Sequence, residues 1–259
     1  MVASSWPSLD ELDAVRNKVA EMSGADGRDV RVVVSPYRIC PLGAHIDHQG
    51  GTVTAMTINM GILLGFVPSP DAQVILRSGQ FHGEVKFRVD EVQHLQKIPE
   101  EPDWGITGFI CGSEEHSSGL SSSAASILKP NLAKRALHYF SENKRVKEGL
   151  EAWASGNLDE FGKLISASGR SSIENYECGC KEMIDLYEIL LKAPGVFGAR
   201  FSGAGFRGCC LALVDADLTD KAAAFVKQEY QKVQPELASK LPQDRLVLIC
   251  EPGDSAHVV

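Results

Sequence analysis

The chain has no excess of positive charge. Its 26 Lys and Arg stand against 34 Asp and Glu, a formal net charge of -8. That balance argues against general affinity for nucleic acid, which rests on cationic neutralisation of phosphates, and leaves only a local basic pocket open. There is no run of about 18 apolar residues, the length a membrane-crossing helix needs, so no membrane partner is expected. The opening residues MVASSWPSLDELDAV lack a basic stretch followed by an apolar one, so no secretion signal is read there and the cytosol is the expected location. The seven cysteines are odd in number and lack such a signal, which makes reduced thiols the natural reading. Cys178-Gly179-Cys180 has residues of ligand type, but no second Cys or His pair stands at zinc-site spacing.

What is present suits a folded enzyme-sized chain. Hydrophobic residues at 44% and charged residues at 23% are close to globular averages, and 259 residues bury a substantial core in one large domain or two modest ones. Leu9, Leu12, Val15, Val19 and Met22 recur at helical spacing behind Ser8, a candidate N-cap, and Gly24 ends the run. β-Branched stretches then follow at VRVVVS from Val30, TVTAMTI from Thr52, QVILRS from Gln73 and EVKFRV from Glu84. From Leu132 the pattern turns helical through LAKRALHYF, VKEGLEAWA and LDEFGKLISAS, the last capped by Asn157, and again at KEMIDLYEILLKA. VFGARFS and CCLALVDA read as strands around a glycine loop, a helix is expected over about 220–234, and RLVLIC at 245–250 as a last strand. The expected class is α+β with two subdomains dividing near Pro130.

Three loops carry chemistry. The first, HSSGLSSSAASILKP over 116–130, places a glycine and small hydroxyls at the mouth of a short apolar helix. Unpaired amides and the positive end of the dipole make such a mouth a phosphate site, and a hydroxyl there can meet Mg²⁺. A flexible Ser/Gly linker is the competing reading, opposed by Leu120 and the abrupt Ala-Ala-Ser-Ile-Leu. A Walker A loop is absent. The second, SPYRICPLGAHIDHQGG over 35–51, sets Arg38, His45, Asp47 and His48 directly after a strand, a polar set suited to sugar hydroxyls and phosphate; a solvated loop is the alternative. In the third, Gly203, Gly205 and Gly208 of GARFSGAGFRGCCLAL fit G-x-G-x-x-G. The dinucleotide fingerprint needs a helix next, and here a strand is expected instead.

In this order the three loops resemble the motifs of the GHMP kinase superfamily, in its galactokinase-like branch, over most of the chain. Within that branch the wording of the second and third loops resembles plant-type galacturonokinases. The resemblance implies a two-subdomain GHMP kinase fold, with 1–130 as an N-terminal domain carrying sugar signature and phosphate loop and 131–259 as a C-terminal domain. It implies an ATP-dependent sugar-1-kinase that phosphorylates the anomeric hydroxyl of galacturonic acid or a galactose-like sugar. ATP is then expected at Ser118, Gly119, Leu120, Ser121, Ser122, Ser123 and Ala124, and Mg²⁺ on Ser122. The sugar is expected beside Ala44, His45 and Asp47, with Arg38 as catalytic residue near the reacting C1 oxygen and the γ-phosphate. Ser202, Gly203, Ala204 and Gly205 form the supporting glycine loop. Galactokinases carry Glu where this chain has Ala44; that Glu lies near the sugar's C6 hydroxyl and would repel a C6 carboxylate, a penalty alanine removes.

One part of the family pattern is missing. No Asp-Gln dipeptide occurs, so the Asp that serves as base in galactokinase-type members is not found, and Asp159 and Asp185 read as solvated helix residues. The Lys129-Pro130 pair stops the phosphate-loop helix early. Two segments look deleted, near 103–106 and 126–131. A non-catalytic ATP- or sugar-binding relative, or a partner of a full-length homologue, is therefore the alternative, and a nicotinamide-linked oxidoreductase a remote third.

Overall fold

A computed structural model describes residues 6–91, 106–112, 132–242 and 245–259. The described residues fall into two compact units that interleave along the chain: Met1–Tyr37, Thr57–His116 and Glu251–Val259 form one, and Arg38–Met56 and Ser117–Cys250 the other. This differs from a single division at residue 130, which itself lies outside the described residues. Local bonding explains the interleaving. The amides of Gly43 and Thr52 bond to Glu142 and Asn143, so the signature loop stays with the later chain. Val258 and His257 pair with Val33 and Val34, which returns the C-terminal segment to the earlier one.

The first unit is a sheet with a helix on it. Helix α1 (Leu9–Ser23) starts at Ser8, whose hydroxyl accepts from the Glu11 amide while the Glu11 carboxylate accepts from the Ser8 amide, and it ends at Gly24 in the left-handed conformation (φ 74°). The sheet has the order β4-β3-β5-β2-β1-β8, with β1 (Arg31–Ile39), β2 (Met56–Pro68), β3 (Gln73–Ser78), β4 (Glu84–Arg88), β5 (Ile106–Gly112) and β8 (His257–Val258). Strands β2 and β5 run antiparallel, and β3 and β5 parallel. Leu12 and Val15 of α1 meet Val32, Val34 and Leu63 in a buried cluster, the face predicted by their spacing.

The second unit lays helices on a two-stranded sheet. Helices α2 (Leu132–Ala154) and α3 (Leu158–Glu174) precede α4 (Lys181–Leu190), strands β6 (Val196–Ser202) and β7 (Cys209–Val214), then α5 (Thr219–Val233) and α6 (Pro235–Lys240). Asn157 caps α3 by accepting from the Glu160 amide at 3.1 Å, as its sequence position predicts. α3 packs directly on β6 where two glycines meet: a Cβ on Gly198 would overlap the Gly162 backbone, and one on Gly162 the Phe197 backbone.

Two sequence expectations fail. Residues 245–250 form a turn and an irregular segment, not a strand: Arg245 closes a turn onto Pro242, and Leu248 and Ile249 remain exposed. The segment then meets β2 through a bridge between Ile58 and Pro252, closed by the Asn59 amide on the Glu251 carbonyl and the Gly253 amide on the Thr57 carbonyl, each at 3.0 Å. The strand expected from Thr52 begins only at Met56, because the amides of Thr52 and Thr54 bond instead to Asn143 and Leu42. Within the described residues, no helix is long and apolar enough to cross a membrane.

The glycine contact yields a test. Gly198→Ala is expected to destabilise the protein by about 1–3 kcal/mol, since backbone rather than a movable side chain stands in the way. A lowered urea midpoint with unchanged slope is the expected measurement.

Candidate functional site

The signature loop is built around one buried carboxylate. Glu142 of α2 has no solvent-exposed side-chain surface. Its Oε1 accepts from the Gly43 amide at 2.7 Å and from the Ser168 hydroxyl at 2.6 Å, and its Oε2 from Arg145 Nε at 2.7 Å. The guanidinium of Arg200, also buried, donates to Ser168 Oγ at 3.0 Å and stands 3.9 Å from Glu142, so the hydroxyl links the two charges. Burial alone would raise the Glu142 carboxyl, but the Arg200 and Arg145 guanidiniums and the two hydrogen bonds outweigh it and hold it below its ordinary value.

A second anchor fixes the next residue. His138, one turn earlier on α2, has Nε2 2.9 Å from the Ala44 carbonyl and Nδ1 2.9 Å from Ser171 Oγ. A carbonyl only accepts, so Nε2 carries the proton and Nδ1 accepts from the serine. Burial pushes the His138 imidazole down and keeps it neutral.

Between these anchors His45 adopts φ 63°, a left-handed conformation uncommon for any residue but glycine. Its ring stacks on Tyr176, with centroids 4.6 Å apart and planes inclined by 10°. Its Nε2 is buried and has no hydrogen-bond partner among the described residues. A buried polar atom without a partner calls for an explanation, and a polar ligand supplies one. Burial first, then the positive charge of Arg200 and the neighbouring His138, pushes His45 down to about 3, so it is a neutral hydrogen-bonding group at physiological pH.

The other expected residues are distributed as follows. Ala44 adjoins His45, with its carbonyl on His138. Asp47 opens a short 3-10 turn over Asp47–Gln49 and is largely exposed, 3.6 Å from His48. Arg38 is exposed near the end of β1. Ser118, Gly119, Leu120, Ser121, Ser122, Ser123 and Ala124, with the Mg²⁺ position at Ser122, lie outside the described residues. Ser202, Gly203, Ala204 and Gly205 join β6 to β7 in a loop whose Gly203, Gly205 and Gly208 all have positive φ. The Gly205 carbonyl accepts from the Cys180 amide at 2.8 Å, and a Cβ there would overlap the Phe201 ring. Strand β7 follows the loop, where a dinucleotide site needs a helix, so the oxidoreductase reading has no support here.

Metal and base chemistry have few candidates. Among the described residues, no cluster of His, Cys, Asp and Glu could hold a metal ion, and burial pushes the Cys178 thiol up to about 11, which disfavours the thiolate a metal needs. Asp159 is exposed, and Asp185 is bound to Lys181 and Gln234, each at 2.7 Å. Sequence reasoning passed over Glu142, His138, Ser168, Ser171, Tyr176 and Arg200. The available signal was the serines at 168, 171 and 172, small polar residues on the buried face of α3.

Replacing the central carboxylate tests its role. Glu142→Gln leaves two guanidiniums without a counter-charge and is expected to destabilise the protein by about 3–5 kcal/mol, read by urea unfolding. The pH dependence has a definite sign. His45 and His138 both sit below 6.5 when folded, so the unfolded chain takes up these protons first. Stability is therefore expected to fall as pH drops from 6.5 towards 3, with the Glu142 contribution lost additionally below 4.5. Urea midpoints that stay flat between pH 7 and 5 contradict this.

Comparison with known proteins agrees with this layout. Residues 146–232 match the family described as GHMP kinases C terminal. The galacturonokinase of Arabidopsis thaliana is 42% identical over an alignment of 422 residues, covering 98% of this chain and 100% of that protein. With 259 residues in the chain, more than a third of those aligned positions face gaps in it, which agrees with internal shortening. The expected seams at 103–106 and 126–131 lie almost wholly outside the described residues. A galactokinase of Clostridium perfringens (strain SM101 / Type A) is 42% identical over 101 residues, 39% of this chain and 26% of that protein. Among solved structures, Lactococcus lactis galactokinase complexed with galactose has a TM-score of 0.79 at 22% identity, covering 95% of this chain and 99% of that one. A mevalonate kinase has a TM-score of 0.54 at 12% identity, covering 77% and 95%, and these two likenesses show the fold. By its 42% identity to a relative matched end to end, the chain belongs to the GHMP kinases, in the galacturonokinase family.

Proposed function

We propose that the chain is an ATP-dependent sugar-1-kinase acting on galacturonic acid, with transfer of the γ-phosphoryl group to the anomeric oxygen. The observation that carries this reading is His45, a neutral imidazole in the sugar signature whose buried Nε2 has no partner among the described residues. In the proposed complex Nε2 and the Asp47 carboxylate meet ring hydroxyls, and Ala44 leaves room for the C6 carboxylate. Arg38 lies near the C1 oxygen and the γ-phosphate. Residues 118–124 cradle ATP through amides and hydroxyls, with Mg²⁺ on Ser122, a placement that rests on the loop sequence. When bound, Mg²⁺ supplies charge neutralisation of the phosphates. The proposed location is the cytoplasm, a reducing compartment that suits seven cysteines with no secretion signal read beside them.

A second reading, a non-catalytic binder of ATP or sugar that pairs with a full-length homologue, is favoured by the aligned gaps and by the missing Asp-Gln dipeptide. The purified chain, incubated with ATP and galacturonate, separates the two. Galacturonate 1-phosphate and ADP in equal amounts support the kinase; binding without product supports the second reading; preferential binding of galactose contradicts the galacturonate assignment. Ala44→Glu places a carboxylate against C6 and is expected to weaken galacturonate binding at least tenfold, about 1.4 kcal/mol, by calorimetry. An unchanged affinity removes Ala44 from the specificity argument.

A further inference from the structure

Two non-glycine residues among those described have positive φ, His45 at 63° and Glu177 at 59°. Isolated left-handed residues persist where surrounding contacts over-determine them, and they cluster at functional sites. These two lie far apart in sequence yet meet at one stack. Tyr176, the neighbour of Glu177, carries the His45 ring at 4.6 Å. The Arg135 guanidinium lies over the same tyrosine, 4.5 Å from its centroid. Arg135 is in turn held by the Asn175 carbonyl at 2.9 Å and the Glu177 carboxylate at 3.2 Å. The backbone on the N-terminal side of His45 is already fixed by Glu142 and His138, through the Gly43 amide and the Ala44 carbonyl. Those bonds leave the His45 side-chain torsions unset, and the near-parallel tyrosine ring limits rotation that would swing Nε2 out of its buried position.

We propose that Tyr176, braced by Arg135 and Glu177, is a positioning residue that holds the His45 imidazole with Nε2 aimed at the ligand. The consequence for a sugar rests on the function proposed above; the mechanical coupling of Tyr176 to His45 does not. A preset ring lowers the ordering cost of binding, so loss of the stack weakens affinity although Tyr176 makes no bond to sugar.

The test uses the full chain with ¹⁵N-labelled histidine, assigning the His45 signals by their loss in His45→Gln. Tyr176→Phe keeps the ring and is expected to match the parent protein. Tyr176→Leu keeps an apolar group but exposes a ring face of His45 to water, so the His45 titration is expected to rise from about 3 towards 6.5. The charged and titratable groups that also face His45, Arg200, His138, Glu142 and Asp47, remain in every variant, so the difference reports ring burial. Galacturonate binding by Tyr176→Leu is expected to weaken about tenfold, and by Tyr176→Phe less than twofold. Should the leucine protein not fold, Arg135→Gln is expected to move the His45 titration in the same direction by less. An unmoved titration overturns the proposal, whatever happens to affinity. A titration moved in Tyr176→Leu, together with a parent protein that binds no galacturonate, supports the coupling and overturns the sugar reading alone.

Discussion

The second unit depends on neutralising one buried carboxylate. Glu142 is removed from water together with Arg200, and ions in such a position are tolerated only when paired and hydrogen-bonded throughout. Helix α2 supplies Glu142 and Arg145, α3 supplies Ser168, β6 supplies Arg200 and the signature loop supplies the Gly43 amide. Four segments far apart in sequence must therefore meet at one point, or each leaves a charge or donor stranded. The pair is weak as a source of net stability and strong as a specifier of geometry, because any displaced arrangement carries the whole desolvation penalty.

That geometry sets the chemistry of the loop. With Gly43 and Ala44 pinned, the chain enters His45 in a left-handed conformation, and burial first, then the positive charge of Arg200, in part balanced by Glu142, keeps the imidazole neutral. A neutral imidazole with a free ring nitrogen both donates and accepts, depending on tautomer, which suits hydroxyls better than an imidazolium that only donates. The structural ion pair and the His45 imidazole are thus coupled through both backbone and field.

The legible features were those with local causes. Ser8 with Glu11, Gly24 and Asn157 announce helix ends because a cap is satisfied within four residues. The signature loop was legible as a motif. Glu142 and Arg145 stand three apart on a charged helix, a spacing common to surface pairs, and nothing local says that Arg200 lies beside them. Arg200 itself sits in a strand whose residues from Gly198 to Ser202 are all buried, and burial on both faces erases the alternation that marks an inward side chain. Tyr176 belongs to no motif, and its importance follows only from His45, more than a hundred residues earlier.

Positioning and proton acceptance are separable in this chain, and their magnitudes differ. Glu142 is a poor base: an amide, a hydroxyl and a guanidinium occupy three of about four acceptor sites on a fully buried carboxylate, and neighbouring cations stabilise its charged form. Asp47 is largely exposed and keeps the high solvation of a surface carboxylate. General base catalysis contributes about 10²–10⁴-fold, whereas placing reactants in near-attack geometry is worth about 7–11 kcal/mol. In phosphoryl transfer the transition state is loose, with little bond formation to the nucleophile and correspondingly little need to remove its proton early. A chain that retained the sugar and phosphate loops in register but lacked the family base would thus lose the smaller of the two contributions. Slow, saturable turnover with ordinary sugar affinity is the kinetic form of that loss, whereas displacement of the loops by the shortening would abolish saturation itself.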